Sequence, residues 1–276
     1  MTTATAVALA PRRPRRIGVR LAQLVTAAVV LAAILHLNIT WSDLIDLPGR
    51  LGHYLRLMFS SPNWDVLPMA LYQTWVSVTM AWVGGILGVV LSTILGIPAA
   101  EGVGPLWLRL PLRGVFAILR AVPEVVIAII ILTVTGLTPF TGALALAIGG
   151  IGTHAKWTYE TIEAVPTGTA EAVRAAGGNL LEVARWGLWT AAAPELMSLS
   201  LYRFEINVRT SAILGLIGVG GVGDLLTGYT QYRQWEDVGV LIIVVIVVTM
   251  TIDAISGAIR RRIMRGGPAR GVERGT

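Results

Sequence analysis

Long apolar runs alternate with short charged stretches along this chain. The apolar core of a bilayer is about 30 Å thick, so a helix needs about 20 apolar residues to cross it. Six runs reach that length, and charged residues gather at their ends. The pattern predicts an all-α bundle of six membrane-spanning helices. The predicted spans are approximately 21–40, 67–97, 115–136, 139–157, 190–220 and 238–259.

The composition of the chain agrees with a membrane protein. Hydrophobic residues make up 54% of its 276 residues and charged residues only 14%, far from the norm for soluble domains. No cysteine is present, which excludes disulfides, thiolate nucleophiles and zinc–thiolate sites. The first apolar run follows "RRPRRIGVR" and has no small-residue cleavage signal, so we interpret it as a retained span and not a signal peptide.

The distribution of basic residues predicts the orientation of the spans. The formal net charge is +6, and the basic residues cluster at the ends of apolar runs. This clustering favours contact with a membrane surface over binding of nucleic acid. Because six spans are an even number of crossings, both termini lie on the same side of the membrane, together with the segments 98–114 and 158–189. Only Arg50, Arg56 and Arg233 fall on the other side, so the positive-inside rule predicts cytoplasmic N- and C-termini. The basic residues predicted to be cytoplasmic are Arg12, Arg13, Arg15, Arg16, Arg20, Arg109, Arg113, Lys156, Arg174, Arg185, Arg260, Arg261, Arg262, Arg265, Arg270 and Arg274.

The predicted cytoplasmic segment 158–189 contains "EAVRAAGGNLLEVARWG", which has the pattern of two short helices. Glu171 to Ala176 consists of good helix formers, and Gly177-Gly178-Asn179 suits a left-handed helix end. Beyond it, four small or apolar residues recur at helical spacing. Such a segment either lies on lipid as an interfacial hairpin or forms a docking surface for a soluble partner. The four recurring residues are Leu180, Leu181, Ala184 and Gly187.

This segment resembles the EAA loop of ABC importer permeases. The resemblance rests on Glu171-Ala172, Gly177 and Gly187 beside Leu188. The family pattern usually ends in Ile-x-Leu-Pro, where this chain has Gly187-Leu188-Trp189-Thr190. The resemblance implies that residues 158–189, hereafter the EAA-like loop, couple the membrane helices to an ATP-binding subunit. The implied coupling residues are Glu171, Ala172, Gly177, Leu180, Leu181 and Gly187.

Two further motifs resemble the phosphonate-type permeases of the same superfamily. They are "LYRFEINVRTSAILGLIGVGGVGDLL" at Leu201 to Leu226 and "RAVPEV" at Arg120 to Val125, and the resemblance covers roughly residues 65–260. It implies a type I importer permease fold in the bacterial cell (inner) membrane. It also implies a homodimer with two copies of an ATP-binding subunit and an extracytoplasmic solute-binding protein. The implied cargo is phosphonate or a related phosphorus oxyanion, phosphite or phosphate.

On this interpretation the chain consists of four parts. They are a basic cytoplasmic tail at 1–20, a first span at 21–40, a permease core at 67–259 that includes the EAA-like loop, and a basic cytoplasmic tail at 260–276.

The chain carries no ATPase motif of its own. Its only lysine, Lys156, follows alanine, whereas a phosphate-binding P-loop needs lysine after glycine. The sequence therefore predicts a non-enzymatic membrane subunit that binds no cofactor, with ATP and Mg on the partner ATPase. The alternative is an ion-coupled secondary transporter or channel for an anion. That alternative predicts inverted repeats or several intramembrane carboxylates, and the sequence shows no internal repeat.

Charged residues inside the predicted spans are candidates for a translocation path or gate. A central arginine costs about 2.5–3.5 kcal/mol on insertion scales, so these residues should face protein or water. Arg120 and Glu124 are four residues apart, as are Glu205 and Arg209, and both spacings predict pairing across one helical turn. Arg203 has no local partner. The alternative is that these charges are structural and tie helices together.

Glycine patterns in two spans predict close packing and a helix end. Gly84-x-x-x-Gly88 predicts close helix–helix contact, within the chain or across a dimer. Gly218-x-Gly220-x-x-Gly223 matches a dinucleotide-binding pattern, but no βαβ unit surrounds it, so we interpret it as a glycine-rich helix end. The three histidines, His36, His53 and His154, are too scattered to predict a metal site.

Overall fold

A computed structural model describes residues 17–37 and 41–266, and this part of the chain is all-helical. The predicted tails at 1–20 and 260–276 therefore lie mostly outside the described residues, as does the end of the first predicted span at 38–40. Internal contacts divide the chain into two compact units, Met1–Leu55 and Arg56–Thr276.

The first unit contains helix α1 (Ile17–His36) and most of α2 (Trp41–Phe59). Helix α1 begins four residues before the predicted span, and large apolar side chains along it, such as Leu24 and Leu35, are exposed. A helix with apolar residues on every side needs an apolar environment such as lipid. Helix α2 was not predicted. It is more polar than α1, with Asp46 and Arg50 one turn apart and 3.5 Å between their charged atoms.

The second unit is the main helical body. Short 3-10 segments precede and follow its first long helix, and the π-helical segment Val183–Trp189 joins α8 to α9. Its helices are α3 (Leu67–Gly96), α4 (Leu106–Ala121), α5 (Glu124–Thr135), α6 (Pro139–Glu163), α7 (Thr167–Ala175), α8 (Leu180–Glu182), α9 (Thr190–Gly215), α10 (Val222–Gln231) and α11 (Trp235–Gly266).

Helices α3 and α6 form the centre of this unit, and α9 packs against both. A Cβ atom added at Gly84 would lie 2.5 Å from the backbone oxygen of Ala143, and one at Gly88 would lie 3.0 Å from that of Ala147. Only glycine lets the two backbones approach so closely. The predicted close packing at Gly84 and Gly88 is confirmed, and it occurs within the chain.

The predicted third span, 115–136, is wrong as a continuous helix. Helices α4 and α5 meet at an angle of 91° across Val122 and Pro123. Proline has no N–H for a helical bond, and it pushes the preceding residue toward extended geometry. Val122 accordingly has φ −93° and ψ 121°.

The predicted fifth span, 190–220, ends earlier than expected. Helix α9 stops at Gly215, and Gly218, Gly220 and Gly221 then take φ values of +90°, +93° and +82°. These left-handed conformations end the helix and suit glycine, which has no Cβ. The turn is fixed to α3 because the N–H of Val222 donates to Ser77 Oγ at 2.9 Å. The interpretation of this cluster as a glycine-rich helix end is confirmed.

By length and apolar composition, three helical segments of the described chain can cross a membrane, or four if the bent α4–α5 pair forms one span. The three are Gly18–His36, Trp64–Ala99 and Trp235–Met264. Helices α6 and α9 are long enough, at 25 and 26 residues, but contain more polar residues. The count of six spans stays a prediction.

Single cysteines test the predicted orientation, since the chain has none of its own. With cytoplasmic termini, Ser42→Cys should react with an impermeant maleimide added to intact cells, whereas Thr276→Cys should react only after lysis. In intact cells, Ser42→Cys should be labelled much more strongly than Thr276→Cys, because the distribution of basic residues strongly favours cytoplasmic termini. Labelling of Thr276→Cys from outside would contradict the orientation.

Candidate functional site

Helix α9 presents two polar faces inside the helical body. Arg203 and Asn207 are four residues apart on one face, and Glu205 and Arg209 are four apart on another. Residues at this spacing are neighbours on a helix surface. Arg203, Glu205 and Asn207 are all buried, whereas Arg209 is more exposed. Because α9 packs against α3, α6 and α11, these faces meet different neighbours.

Arg203 pairs with Glu124, the first residue of α5, through a direct hydrogen bond from its terminal nitrogen. The side chains are 7% and 19% exposed, so the pair is largely withdrawn from solvent. The predicted pairing of Arg120 with Glu124 is therefore wrong. The bend at Pro123 breaks the helix between them, and Arg120 ends up exposed near the end of α4.

The predicted pairing of Glu205 with Arg209 is also wrong. Both residues pair with α11: Glu205 accepts a hydrogen bond from Arg260, and Arg209 donates to Asp253 at 2.5 Å. Arg260 and Asp253 are seven residues apart and so share one face of α11. Two ion pairs thus connect α9 to α11 along adjoining faces, a tertiary arrangement that the local spacing did not reveal.

Polar groups without partners surround Arg203. Asn207 and His154 are each 1% exposed, and among the described residues Asn207 Oδ1, Asn207 Nδ2, His154 Nδ1 and Arg203 Nε have no hydrogen-bond partner. The other ring nitrogen of His154 lies 3.4 Å from Ser200 Oγ. Burying such groups unpaired costs free energy, which singles out this cluster.

Glycines make room for the charged side chains of this cluster. A Cβ atom at Gly150 would lie 3.1 Å from Arg203 Nε, and one at Gly149 would lie 2.5 Å from Glu124 Cγ. On the α3 side, a Cβ at Gly85 would lie 3.3 Å from Asn207 Nδ2. Glycine on two helices therefore lets the polar side chains fit between closely packed backbones.

The EAA-like loop forms the first predicted short helix, but the second is not separate, because α8 continues through the π-helical segment Val183–Trp189 into α9. Its first helix, α7, ends with Gly177 at φ +86°, where the N–H of Gly177 donates to Arg174 O and that of Gly178 to Val173 O, both at 2.9 Å. These two bonds form a Schellman end, as the Gly177-Gly178-Asn179 pattern predicted. Asn179 then caps the next helix by accepting from the N–H of Glu182, whose carboxylate accepts from the N–H of Asn179 at 2.8 Å.

The two arms of the EAA-like loop pack closely at Gly187. It is buried, and a Cβ atom there would lie 3.2 Å from Ala170 Cα. Glu171, Ala172 and Gly177 are exposed. Leu181 is also exposed, at 78%, so the loop presents a mixed apolar and charged surface. The backbone of Leu180 begins α8.

The fourth predicted span, 139–157, is longer than expected, since α6 continues to Glu163.

Four residues of the charged clusters were not predicted from the sequence: His154, Asn207, Asp253 and Arg260. Asp253 was detectable because a carboxylate inside the apolar run 238–259 is rare and normally paired. Arg260 was assigned to the tail, yet α11 runs on to Gly266 and Arg260 pairs within it. Asn207 and His154 carry no charge signal, and only packing shows that they are buried together.

A valine at Gly177 should weaken the predicted coupling between the EAA-like loop and an ATP-binding subunit. No atom lies within 4 Å of a Cβ at this position, so the effect comes from the left-handed backbone alone. That conformation costs a non-glycine residue about 1–2 kcal/mol, and a β-branched residue tolerates it poorly. We expect Gly177→Val to lower transport several-fold with normal membrane insertion. Gly177→Asn, which tolerates this backbone, should retain transport. Equal transport by Gly177→Val and wild type would contradict the role of this turn.

One largely buried ion pair and two further ion pairs join the helices, and the EAA-like loop presents charged and apolar side chains. These features indicate an integral membrane protein of the transporter class. The family of binding-protein-dependent transport system inner membrane components matches residues 92–265. The chain belongs to this family, and it is a multi-pass inner-membrane component.

Two curated relatives illustrate the similarity. The chain is 36% identical over 208 residues to the phosphate-import permease protein PhnE of Mycolicibacterium smegmatis, covering 74% of this chain and 38% of that protein. It is 30% identical over 196 residues to the phosphite transport system permease protein PtxC of Stutzerimonas stutzeri, covering 69% of this chain and 71% of that protein. The matched region thus spans less than half of the first relative.

Solved structures show the same fold. An inward-facing structure of the MetNI methionine ABC transporter aligns with a TM-score of 0.65 at 20% identity, over 73% of this chain and 99% of that chain. An amino acid ABC transporter with histidines aligns with a TM-score of 0.55 at 20% identity, over 77% of this chain and 97% of that chain. The chain therefore shares its all-helical fold with chains of these two ABC transporters.

Proposed function

We propose that this chain is the membrane-spanning permease subunit of an ATP-driven importer for a phosphorus oxyanion: phosphonate, phosphite or phosphate. The observation that carries the proposal is the buried arginine Arg203, placed between helices of a family fold whose relatives are named as phosphate and phosphite permeases. A guanidinium group matches the oxygens of such anions in geometry and charge.

The charged residues of the spans are proposed to serve the path in different ways. Arg203 and Glu124 form the candidate gate or cargo contact, because Arg203 is buried beside unpaired polar groups and Glu124 is its half-buried partner. Glu205 and Arg209, each tied to α11, hold the two helices together. Arg120 is exposed near the end of α4 and is proposed to lie at the margin of the path.

The energy is proposed to come from partner subunits. Because the only lysine follows alanine, the chain lacks the phosphate-binding lysine of an ATPase, so ATP and Mg would bind to two copies of a separate ATP-binding subunit. The EAA-like loop, with Glu171, Ala172, Leu181 and the Gly177 turn exposed, would dock onto these subunits. A homodimer of this chain and an extracytoplasmic solute-binding protein would complete the importer.

An ion-coupled secondary transporter or channel is not favoured. The family is defined by dependence on a binding protein, and two structures with the same fold belong to ABC transporters. The several intramembrane carboxylates expected for ion coupling are present as Glu124, Glu205 and Asp253, but each one is paired with an arginine.

Uptake by reconstituted vesicles tests the proposal. The permease, its ATP-binding subunit and the cognate binding protein should import one of the three phosphorus oxyanions in the presence of ATP, and sulfate should be imported much less. Without ATP, an imposed proton or sodium gradient should give no uptake. Gradient-driven uptake in the absence of ATP would contradict the proposal and favour ion coupling.

A further inference from the structure

The Arg203–Asn207 face of α9 has the composition of an anion site in which only the arginine is paired. Arg203 supplies the positive charge, and Asn207 and His154 supply buried hydrogen-bonding atoms without partners among the described residues. The group that now contacts Arg203 is the carboxylate of Glu124. A carboxylate presents two oxygens to a guanidinium in the manner of a phosphorus oxyanion, so it can occupy the place of such an anion.

Glu124 is the partner that is able to leave. It is more exposed than Arg203, and it is the first residue of α5, directly after the break at Pro123. Arg203 by contrast lies within the continuous helix α9, which packs on α3 and α6. A change in the 91° bend between α4 and α5 would carry Glu124 away while Arg203 stayed in place.

Small residues and one amide surround Arg203 on the side of α3 and α6. Gly84, Gly85 and Gly88 of α3 and Gly150 of α6 line a gap beside Arg203 and Asn207 that is too small to hold a water molecule. An anion could therefore enter only after the surrounding helices move apart. A Cβ atom at Gly150 would meet the guanidinium of Arg203 and one at Gly85 the amide of Asn207, whereas one at Gly84 or Gly88 would meet the backbone of α6. Asn207 offers both an amide N–H donor and a carbonyl acceptor, which suits a partly protonated oxyanion.

We propose that Arg203, Asn207 and His154 form an oxyanion-binding site within a single protomer, and that Glu124 competes with the anion for Arg203 until α5 moves. The inference rests on the proposed function in its choice of a phosphorus oxyanion as the ligand. Glu124 then has two roles. It neutralises Arg203 when no cargo is present, and it weakens cargo binding enough to permit release.

Removing the competitor should tighten anion binding. Apparent affinity falls in proportion to the fraction of sites that are free, so a site mostly occupied by Glu124 hides most of its intrinsic affinity. In the nucleotide-free complex with the ATP-binding subunit, we expect Glu124→Gln to bind radiolabelled phosphate or phosphite at least about tenfold more tightly than wild type. Its melting temperature should also rise with anion concentration, because ligand binding stabilises the folded state.

Two further variants keep the test decisive. Glu124→Gln combined with Asn207→Asp returns a carboxylate to the site at nearly the same side-chain volume, and it should abolish the gain in affinity. Glu160→Gln is the matched control, since Glu160 pairs with Lys156 at 3.4 Å on a more exposed face of α6, and it should bind like wild type. A folded Glu124→Gln complex with wild-type affinity overturns the proposal.

The remaining outcomes separate this inference from the proposed function. If Glu124→Gln does not assemble, Asn207→Asp alone should lower ATP-driven uptake at least about tenfold with normal ATPase activity, and unchanged uptake would overturn the site. Wild-type import of a phosphorus oxyanion without tighter binding by Glu124→Gln rejects the site and leaves the proposed function standing. Tight binding of phosphate by Glu124→Gln in a complex that imports none of the three anions supports the site and rejects the proposed cargo.

Discussion

Replacement of Arg203 by glutamine is expected to destabilise the protein by about 3–5 kcal/mol, because it leaves the Glu124 carboxylate buried without a counter-charge. Arg203 is 7% exposed and no other basic residue pairs with Glu124 within the part of the chain that the structure describes. The loss should appear as a lower melting temperature in detergent and as less protein in the membrane. Oxyanion uptake should fall with it.

A double-mutant cycle tests the origin of this loss. Arg203→Gln combined with Glu124→Gln removes both charges and should recover most of the stability, since the cost arises from the unpaired partner. Lys156→Gln serves as the control, because its pair with Glu160 is exposed and such pairs contribute about 0–1 kcal/mol. A double variant no more stable than Arg203→Gln would contradict the pairing as the cause.

A valine at Gly84 is expected to separate the two central helices. The added Cβ atom would lie 2.5 Å from the backbone oxygen of Ala143 and 2.8 Å from Leu146 Cβ, and a backbone atom cannot rotate out of the way. Overpacking of this kind typically costs about 1–3 kcal/mol, and we expect about 3 kcal/mol because a backbone contact must shift. The measurement is thermal unfolding of the purified complex, supported by the amount of inserted protein.

Gly114 in α4 provides a matched control for that variant. A Cβ atom there meets nothing within 4 Å, and the residue also lies inside a helix. Gly114→Val changes helix propensity as Gly84→Val does, without the contact between backbones. We expect its melting temperature to stay within a few degrees of wild type. Equal destabilisation by the two valines would show that propensity, and not packing between α3 and α6, explains the loss.

Two local features of the candidate site were predictable from the sequence. The turn at Gly177 depends on residues within one helical turn of each other, and glycine is the residue that takes the left-handed backbone there. The close approach at Gly84 and Gly88 follows from glycine at a spacing of four on one helix face. The turn depends on residues that are neighbours along the chain, and the close approach depends on the absence of a side chain at glycine.

The ion pairs were not predictable, although their charged members were visible. Spacing of four residues suggested Arg120 with Glu124 and Glu205 with Arg209, yet the real partners lie 79, 55 and 44 residues apart in sequence. A single helix offers each charge only the residues three or four positions away, whereas a bundle also offers partners on every helix that packs against it. Burial then favours whichever partner shares the same apolar surroundings.

The sequence by itself determined that this chain is helical and membrane-embedded and which family it resembles, because hydrophobic length, charge placement and short motifs are local properties. Only the tertiary structure decided that Glu124 meets Arg203, that α4 and α5 meet at 91° at Pro123, and that Asn207 and His154 are buried beside the pair. These outcomes depend on how closely the helices pack. Gly149 and Gly150 leave the room that the side chains of Glu124 and Arg203 occupy, and charges that would be costly in lipid must find partners inside the protein.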